Sequence, residues 1–292
     1  MANLKEIRTR IKSVQSTQQI TSAMKMVSAA KLRRAQDAIV QMRPYANKLQ
    51  EILGNLSSSL DTSENVYARE SELKKVLLVA ISSNRGLAGA FNANIIKAAI
   101  RWSQENPGVE YKVLAIGKKS NDYFKKQENT INADLKANTV DIFENLNFSF
   151  VSEIAQEVMD EFASGKYDQV HLIYNSFKNA ATQIVKTEQF LPILPPEVDP
   201  EDTQNTSLDY IFEPNKEEIV KDMIPKSLKV QLYKAILDSY AAEHGARMTA
   251  MHKATDNAGE ILRDLKLTYN KARQAAITGE ILEIVAGAEA LN

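Results

Sequence analysis

Leu4-Lys5-Glu6-Ile7-Arg8-Thr9-Arg10-Ile11-Lys12-Ser13-Val14 opens the chain with apolar residues alternately three and four positions apart. That spacing marks the seam of a coiled coil. The same register returns at Leu32, Ala35, Ile39, Met42, Ala46, Leu49, Leu53, Leu56 and Leu60. At the other end Met248, Met251, Thr255, Ala258, Leu262, Leu265, Tyr269, Ala272 and Ala276 keep a matching three–four spacing. Residues 3–43 contain neither Gly nor Pro, and residues 226–292 contain no Pro. At about 1.5 Å per residue the C-terminal stretch would reach on the order of 100 Å, whereas an ordinary globular helix has about 11–12 residues. A lone helix in water is marginal, because most helical stability comes from packing, so both ends need partners. The simplest pairing joins them to each other in one long antiparallel coiled coil, the shape of an axle rather than of a substrate pocket.

Between the two halves of the first seam the register falls on Gln18, Thr21, Lys25 and Ser28. The apolar residues there, Ile20, Ala23, Met24, Met26, Val27, Ala29 and Ala30, lie around the helix instead. A helix apolar on several sides is enclosed on several sides, so this stretch is expected to face a surrounding protein as well as its own partner helix. Pro44 should kink or loosen the first helix. Gly245, Gly259, Gly279 and Gly287 each cost about 1 kcal/mol in a helix interior, which points to close approach by a neighbouring helix or loop.

The middle of the chain changes character. Residues 57–72 read as a polar, serine-rich linker, and Pro192, Pro195, Pro196 and Pro200 mark another. In between, strands are expected at 75–81, 111–116, 139–143, 169–174 and 181–192, with helices at about 90–102 and 151–163. Alternation of this kind predicts a mainly parallel, Rossmann-like α/β sheet, with the last two strands forming an antiparallel edge. Helix then resumes near Pro214 or Lys216, pauses around Pro225 and runs to the end. The fold class is therefore α/β, in three parts: an N-terminal coiled-coil helix over 1–60, a central α/β domain over 73–193, and a foot with the C-terminal helix over 207–292.

Composition narrows the chemistry. The chain has 292 residues, no Cys and three His. Disulfides, thiolate nucleophiles and cysteine-held metals are excluded. His244 and His252 stand eight apart on one helix and cannot share a metal within the chain, so they and His171 read as packing or surface residues. No run approaches the roughly 20 apolar residues of a membrane span, and no secretory signal opens the chain. The net charge is −1, but residues 1–60 are basic and residues 187–222 acidic, which suggests two different partners. The basic residues are interleaved with seam positions and carry no nucleic-acid reading motif.

The turn Ser83-Asn84-Arg85-Gly86-Leu87-Ala88-Gly89 follows a strand and opens a helix. Its glycines match neither the phosphate-loop nor the dinucleotide spacing, and no Lys follows them. It reads as a tight turn of a structural domain. Glu280 and Glu283 share a helix face beside small apolar residues, which suits a polar contact near a helix end better than acid–base catalysis. No cofactor and no catalytic or metal residue is expected.

The ends also carry a family pattern. Ile7-Arg8-Thr9-Arg10-Ile11-Lys12-Ser13-Val14 and the stretch from Thr17-Gln18-Gln19-Ile20-Thr21-Ser22-Ala23-Met24-Lys25-Met26 to Leu32 resemble the N-terminal helix of the gamma subunit of F-type ATP synthases. Ala246-Arg247-Met248-Thr249-Ala250-Met251, Ala254-Thr255-Asp256-Asn257-Ala258 and the run from Tyr269 through Ala275-Ala276-Ile277-Thr278-Gly279-Glu280 to Glu283-Ile284-Val285-Ala286-Gly287-Ala288 resemble its C-terminal helix. The turn at Ser83 fits too, with Ala88 where the family often has Cys. Gly279 stands where Gln is common, and the cysteine-bearing insert of the chloroplast form is absent, so thiol control is not expected.

The resemblance implies a rotor: a non-catalytic shaft that turns inside the alpha/beta catalytic hexamer and links it to an ion-driven membrane ring. It implies one copy per complex, with the alpha and beta subunits, the epsilon subunit and the c-ring as partners. Contacts with the hexamer would fall on Met24, Lys25, Arg33, Arg34, Arg247, Arg273, Gln274, Thr278 and Glu283. Contacts with the ring and the epsilon subunit would fall on Tyr210, Phe212 and Glu213. The lack of a presequence points to a bacterial enzyme, peripheral on the cytoplasmic side of the inner membrane. Two other readings compete. A coiled-coil scaffold or adaptor predicts a homodimer, and a small-molecule enzyme predicts saturable nucleotide binding by residues 75–193.

Overall fold

A computed structural model describes residues 4–57, 66–69, 71–127, 129–132, 138–144, 146–193 and 216–289. The elements are α1 (Leu4–Ser57), β1 (Lys75–Ile81), α2 (Phe91–Glu105), β2 (Glu110–Ile116), α3 (Lys118–Phe124), α4 (Phe148–Ala163), β3 (Gln169–Phe177), β4 (Gln183–Leu191) and α5 (Lys216–Glu289). Two compact units result. One holds Met1–Ala29 with Arg247–Asn292, and the other holds Ala30–Ala246.

The larger unit is built on a four-stranded sheet in the order β2-β1-β3-β4. β1 pairs in parallel with both β2 and β3, and β4 closes the edge antiparallel to β3. The strand β1 is apolar and buried from Val76 onward, as a strand covered on both faces must be. Its side chains alternate between two cores. Leu77, Val79 and Ile81 pack with Ile154, Val158 and Phe162 of α4 and with Leu228, Leu232 and Ile236 of α5. Val76, Leu78 and Ala80 pack on the other face with Ile95 and Ala99 of α2. The crossover through α2 thus runs on one face and the crossover through α4 on the other, a doubly wound arrangement.

Local signals explain the boundaries. Asn147 Oδ1 accepts from Phe150 N at 2.9 Å and starts α4 three residues ahead of the expected Val151. Asp168 ties the entry of β1 to the entry of β3. Its carboxylate accepts from Lys74 N at 3.0 Å, Lys75 N at 2.8 Å and Ser71 Oγ at 3.0 Å. Its partial burial favours the acid form, but those donors and Arg69 outweigh it and hold the carboxyl below its ordinary value. A depressed folded pKa gives stability that is present above the unfolded value of 3.8 and is lost as pH falls through the folded one. Asp168→Ala is expected to cost about 1 kcal/mol at neutral pH, read as a lower urea midpoint, with the gap closing in strong acid.

Four expectations are corrected. Residues 139–143 form bends and turns, not a strand. Asn138 Oδ1 accepts from Val140 N and Asp141 N, which curls the backbone and takes up donors a ladder would need. The outer edge of β2 is met instead by a single bridge from Thr130 to Val113. A short helix, α3, was missed, because of its seven residues only Ser120 and Phe124 are buried. No pause interrupts α5 at Pro225, which lies inside the helix. Ile224 and Leu228 on either side pack into the core and offset the lost hydrogen bond. Pro44 also lies inside its helix, α1, which agrees with a helical reading on both sides of it. Finally, a Cβ on Gly279 or Gly287 would meet nothing within 4 Å, so close approach by the described residues of this chain does not explain them. It does explain Gly245 and Gly259, whose Cβ atoms would sit 3.1 Å from Phe177 Cε2 and 3.2 Å from Gln18 Nε2. Pro195, Pro196, Pro200 and Leu60 lie outside the described residues.

Candidate functional site

The smaller unit is the paired-helix site. Arg8 Nη2 donates to Tyr269 Oη at 2.8 Å, and its guanidinium lies 5.7 Å from that ring's centre. Thr21 Oγ1 and Thr255 Oγ1 share a hydrogen bond of 2.8 Å. Partners move back along α5 as they move forward along α1, so the helices run antiparallel. Burial follows the seam: Ile7 on α1, with Met251, Ala258 and Leu262 on α5.

The seam continues without interruption through the stretch where its apolar pattern fails. Thr21 and Ser28 are buried, at 8% and 2% exposure. Their hydroxyls are satisfied by the helix itself, Thr21 on Gln18 O at 3.1 Å and Ser28 on Met24 O at 2.8 Å. Polar seam residues lower adhesion and discriminate between registers. The apolar residues of the same stretch point outward, with Ile20 57%, Met26 66% and Val27 56% exposed. This is the multi-sided pattern expected of a helix enclosed by a further partner.

The expected contact residues differ in their exposure. Lys25, on the seam register, and Met24 beside it are half-buried, and Arg273, Gln274, Thr278 and Glu283 are exposed on α5. Arg33 and Arg34 are exposed on α1 in the larger unit. Arg247 differs, being 7% exposed and held within the chain. Tyr210, Phe212 and Glu213 lie outside the described residues. One set of residues was missed. Continuing the pairing places Leu4 near the level of Arg273, so the last turns of α5 extend past the start of α1. There Ile277, Ile281, Leu282, Ile284 and Val285 are 48–71% exposed. Their distribution around the helix was visible in the sequence and carries the same message as that of Ile20, Met26 and Val27.

The turn after β1 is built for shape. Asn92 Oδ1 accepts from Ser83 N at 2.9 Å, and Asn84 Oδ1 accepts from Lys118 N at 2.9 Å. Leu87 takes a left-handed φ of 63°. Of the histidines, His244 is buried edge-on against Tyr240, and His252 is paired with Asp256 at 3.2 Å. Among the described residues no helix is long and apolar enough to cross a membrane.

The ATP synthase family model matches residues 3–291. The ATP synthase gamma chain of Flavobacterium psychrophilum is 61% identical over 293 residues, and that of Christiangramia forsetii 60% identical over 298 residues. Both alignments cover 100% of each chain. This chain belongs to the ATP synthase gamma chain family. Solved structures agree with the assignment. The Tetrahymena thermophila mitochondrial ATP synthase central stalk and c-ring contains a chain matching at TM-score 0.56 and 26% identity, over 80% of this chain and 99% of that one. A chain of the Euglena gracilis mitochondrial ATP synthase rotor matches at TM-score 0.63 over 94% and 98%, a likeness of fold at 21% identity. The gamma chain is the central rotor shaft of the ATP synthase and a non-catalytic subunit of it. The scaffold and small-molecule enzyme readings give way to that assignment.

Proposed function

We propose that the smaller unit turns inside a hexamer of alpha and beta subunits, with one copy of this chain per complex. The exposure of apolar residues around a seam that is itself polar carries this reading. Such a shaft is gripped from outside while its own two helices hold register. Lys25, Arg33 and Arg34, with Met24, offer a basic collar to acidic loops of the catalytic subunits, since charge acts at range and tolerates sliding. Arg273, Gln274, Thr278 and Glu283 offer polar groups that exchange hydrogen bonds from one rest position to the next. Arg247, being buried, has the least side chain to offer. Rotation does work because the asymmetric shaft binds the conformations of each catalytic site unequally. Tyr210, Phe212 and Glu213 are assigned to the epsilon subunit and the c-ring, which would hold the chain peripherally on the cytoplasmic side of a bacterial inner membrane.

Reconstitution with alpha and beta subunits tests the reading. The expected product has one copy of this chain to three alpha and three beta subunits and hydrolyses ATP several-fold faster than the hexamer alone. Removing residues 1–24 and 273–292 together should abolish the gain. A homodimer that ignores the hexamer would refute it.

A further inference from the structure

In a doubly wound sheet the crevice at the carboxyl ends of the strands, where the crossovers diverge, is the usual place for a ligand. Here that place lies between the ends of β1 and β3, and α5 fills it. Ser239 Oγ donates to Ile81 O, on the last residue of β1, at 3.5 Å. Asp238 Oδ1 accepts from Phe177 N, on the last residue of β3, at 3.1 Å. Ala242 and Ala246 pack with Ala88 and Phe91 of the turn after β1. Tyr240 stacks on Phe143 with ring centres 5.7 Å apart.

Two features make this seat a key rather than a bearing. Ala241, Ala242, Glu243, His244 and Ala246 are all at most 9% exposed. Consecutive helical residues step about 100° apart, so burial of the whole run means contact on every side. Gly245 also meets the turn after β3 where no side chain fits: a Cβ there would lie 3.1 Å from Phe177 Cε2 and 3.2 Å from Ala180 Cα. Rolling α5 about its axis would bring His244 or Ala246 to that point. The close packing of protein interiors gives such a helix one angular setting.

We propose that residues 238–246 are a fixed torque joint, which locks the α/β body to the shaft helix so that rotation passes between them without slip. The crevice of this fold is thus used to hold a helix in place of a ligand. The proposal rests on the rotor assignment, and the test separates the two. Hydrolysis by the complex with alpha and beta subunits needs only the shaft, whereas ions pumped per ATP in vesicles need the joint as well.

In the complete enzyme reconstituted into lipid vesicles, Phe177→Ala combined with Asp238→Ala should leave hydrolysis by the detached alpha/beta complex near the parent level. Ions pumped per ATP should fall several-fold. Unchanged pumping per ATP would overturn the joint, as would a proportionate fall in both readouts. A second variant does not weaken the fold. The chain has no Cys, so Ala88→Cys with Ala246→Cys introduces a single pair across the seat. Oxidative cross-linking should leave ATP-driven pumping unchanged. A loss of pumping on oxidation that a reductant reverses would mean that the seat moves during turnover, and would refute the proposal. Failure of the parent chain to raise hydrolysis would instead count against the rotor assignment.

Discussion

Gly117→Ala is expected to destabilise the chain by about 3–5 kcal/mol, the range reached when backbone strain and overpacking act together. Gly117 sits between β2 and α3 with φ at +97°, where an L side chain is strained. Its Cβ would lie 2.3 Å from Ser82 O and 2.8 Å from Ser82 C. Both are backbone atoms. Ser82 cannot retreat, because its N donates to Ile116 O at 2.8 Å and its hydroxyl lies 2.7 Å from that of Ser120. Thermal unfolding of the purified chain gives the readout. Gly86→Ala is the control: its Cβ would meet nothing within 4 Å and its φ is not left-handed, so it should stay within about 0.5 kcal/mol of the parent. Equal behaviour of the two variants would show that the turn after β2 adapts.

The second large effect is on acid stability. His171 lies on β3, its ring centre 5.5 Å from that of Trp102 and its Nε2 3.0 Å from Gln169 Oε1. Burial lowers its pKa from 6.5 to about 4. The folded chain therefore holds this imidazole neutral where the unfolded chain takes up a proton. Its stabilising contribution is complete above pH 6.5 and is lost as pH falls from there to about 4. A shift of that size corresponds to about 3 kcal/mol. Below that window both states are protonated, and Asp168 takes over as the acid-sensitive group. His171→Gln should flatten the dependence of the unfolding free energy on pH between 6.5 and 4 and leave the strong-acid limb in place. An unchanged slope in the variant would assign the loss to other groups.

What could be read from the sequence follows from how local each signal is. The seam positions of α1 and α5 repeat over many turns, so burial matched them even at Thr21 and Ser28, where the residues are polar. Strand β1 was legible because a run of apolar residues bounded by turn signals has few alternatives. The strand expected at 139–143 failed because Asn138 redirects the backbone with its own side chain, a contact between near neighbours that apolar patterning does not register. The helix α3 failed because it is short and carries mostly polar residues. The α5 seat was invisible for a different reason. Gly245 signalled a close approach without naming its partner, and Ser239 and Ala242 look like ordinary small residues of a long helix until the ends of β1 and β3 are brought around them. The expected contact residues rest on motif spacing alone, whereas the apolar residues at the tip of α5 follow no seam and carry no motif of their own.

That tip bears on the life of the chain before assembly. Ile277, Ile281, Leu282, Ile284 and Val285 are exposed on turns with no helix opposite them among the described residues. A newly made copy therefore presents an apolar end that is open to association. Copies made in excess of their partners would be the first to aggregate or to be captured by chaperones and proteases. Under the enclosure proposed above, this end ties the supply of shafts to the supply of sockets.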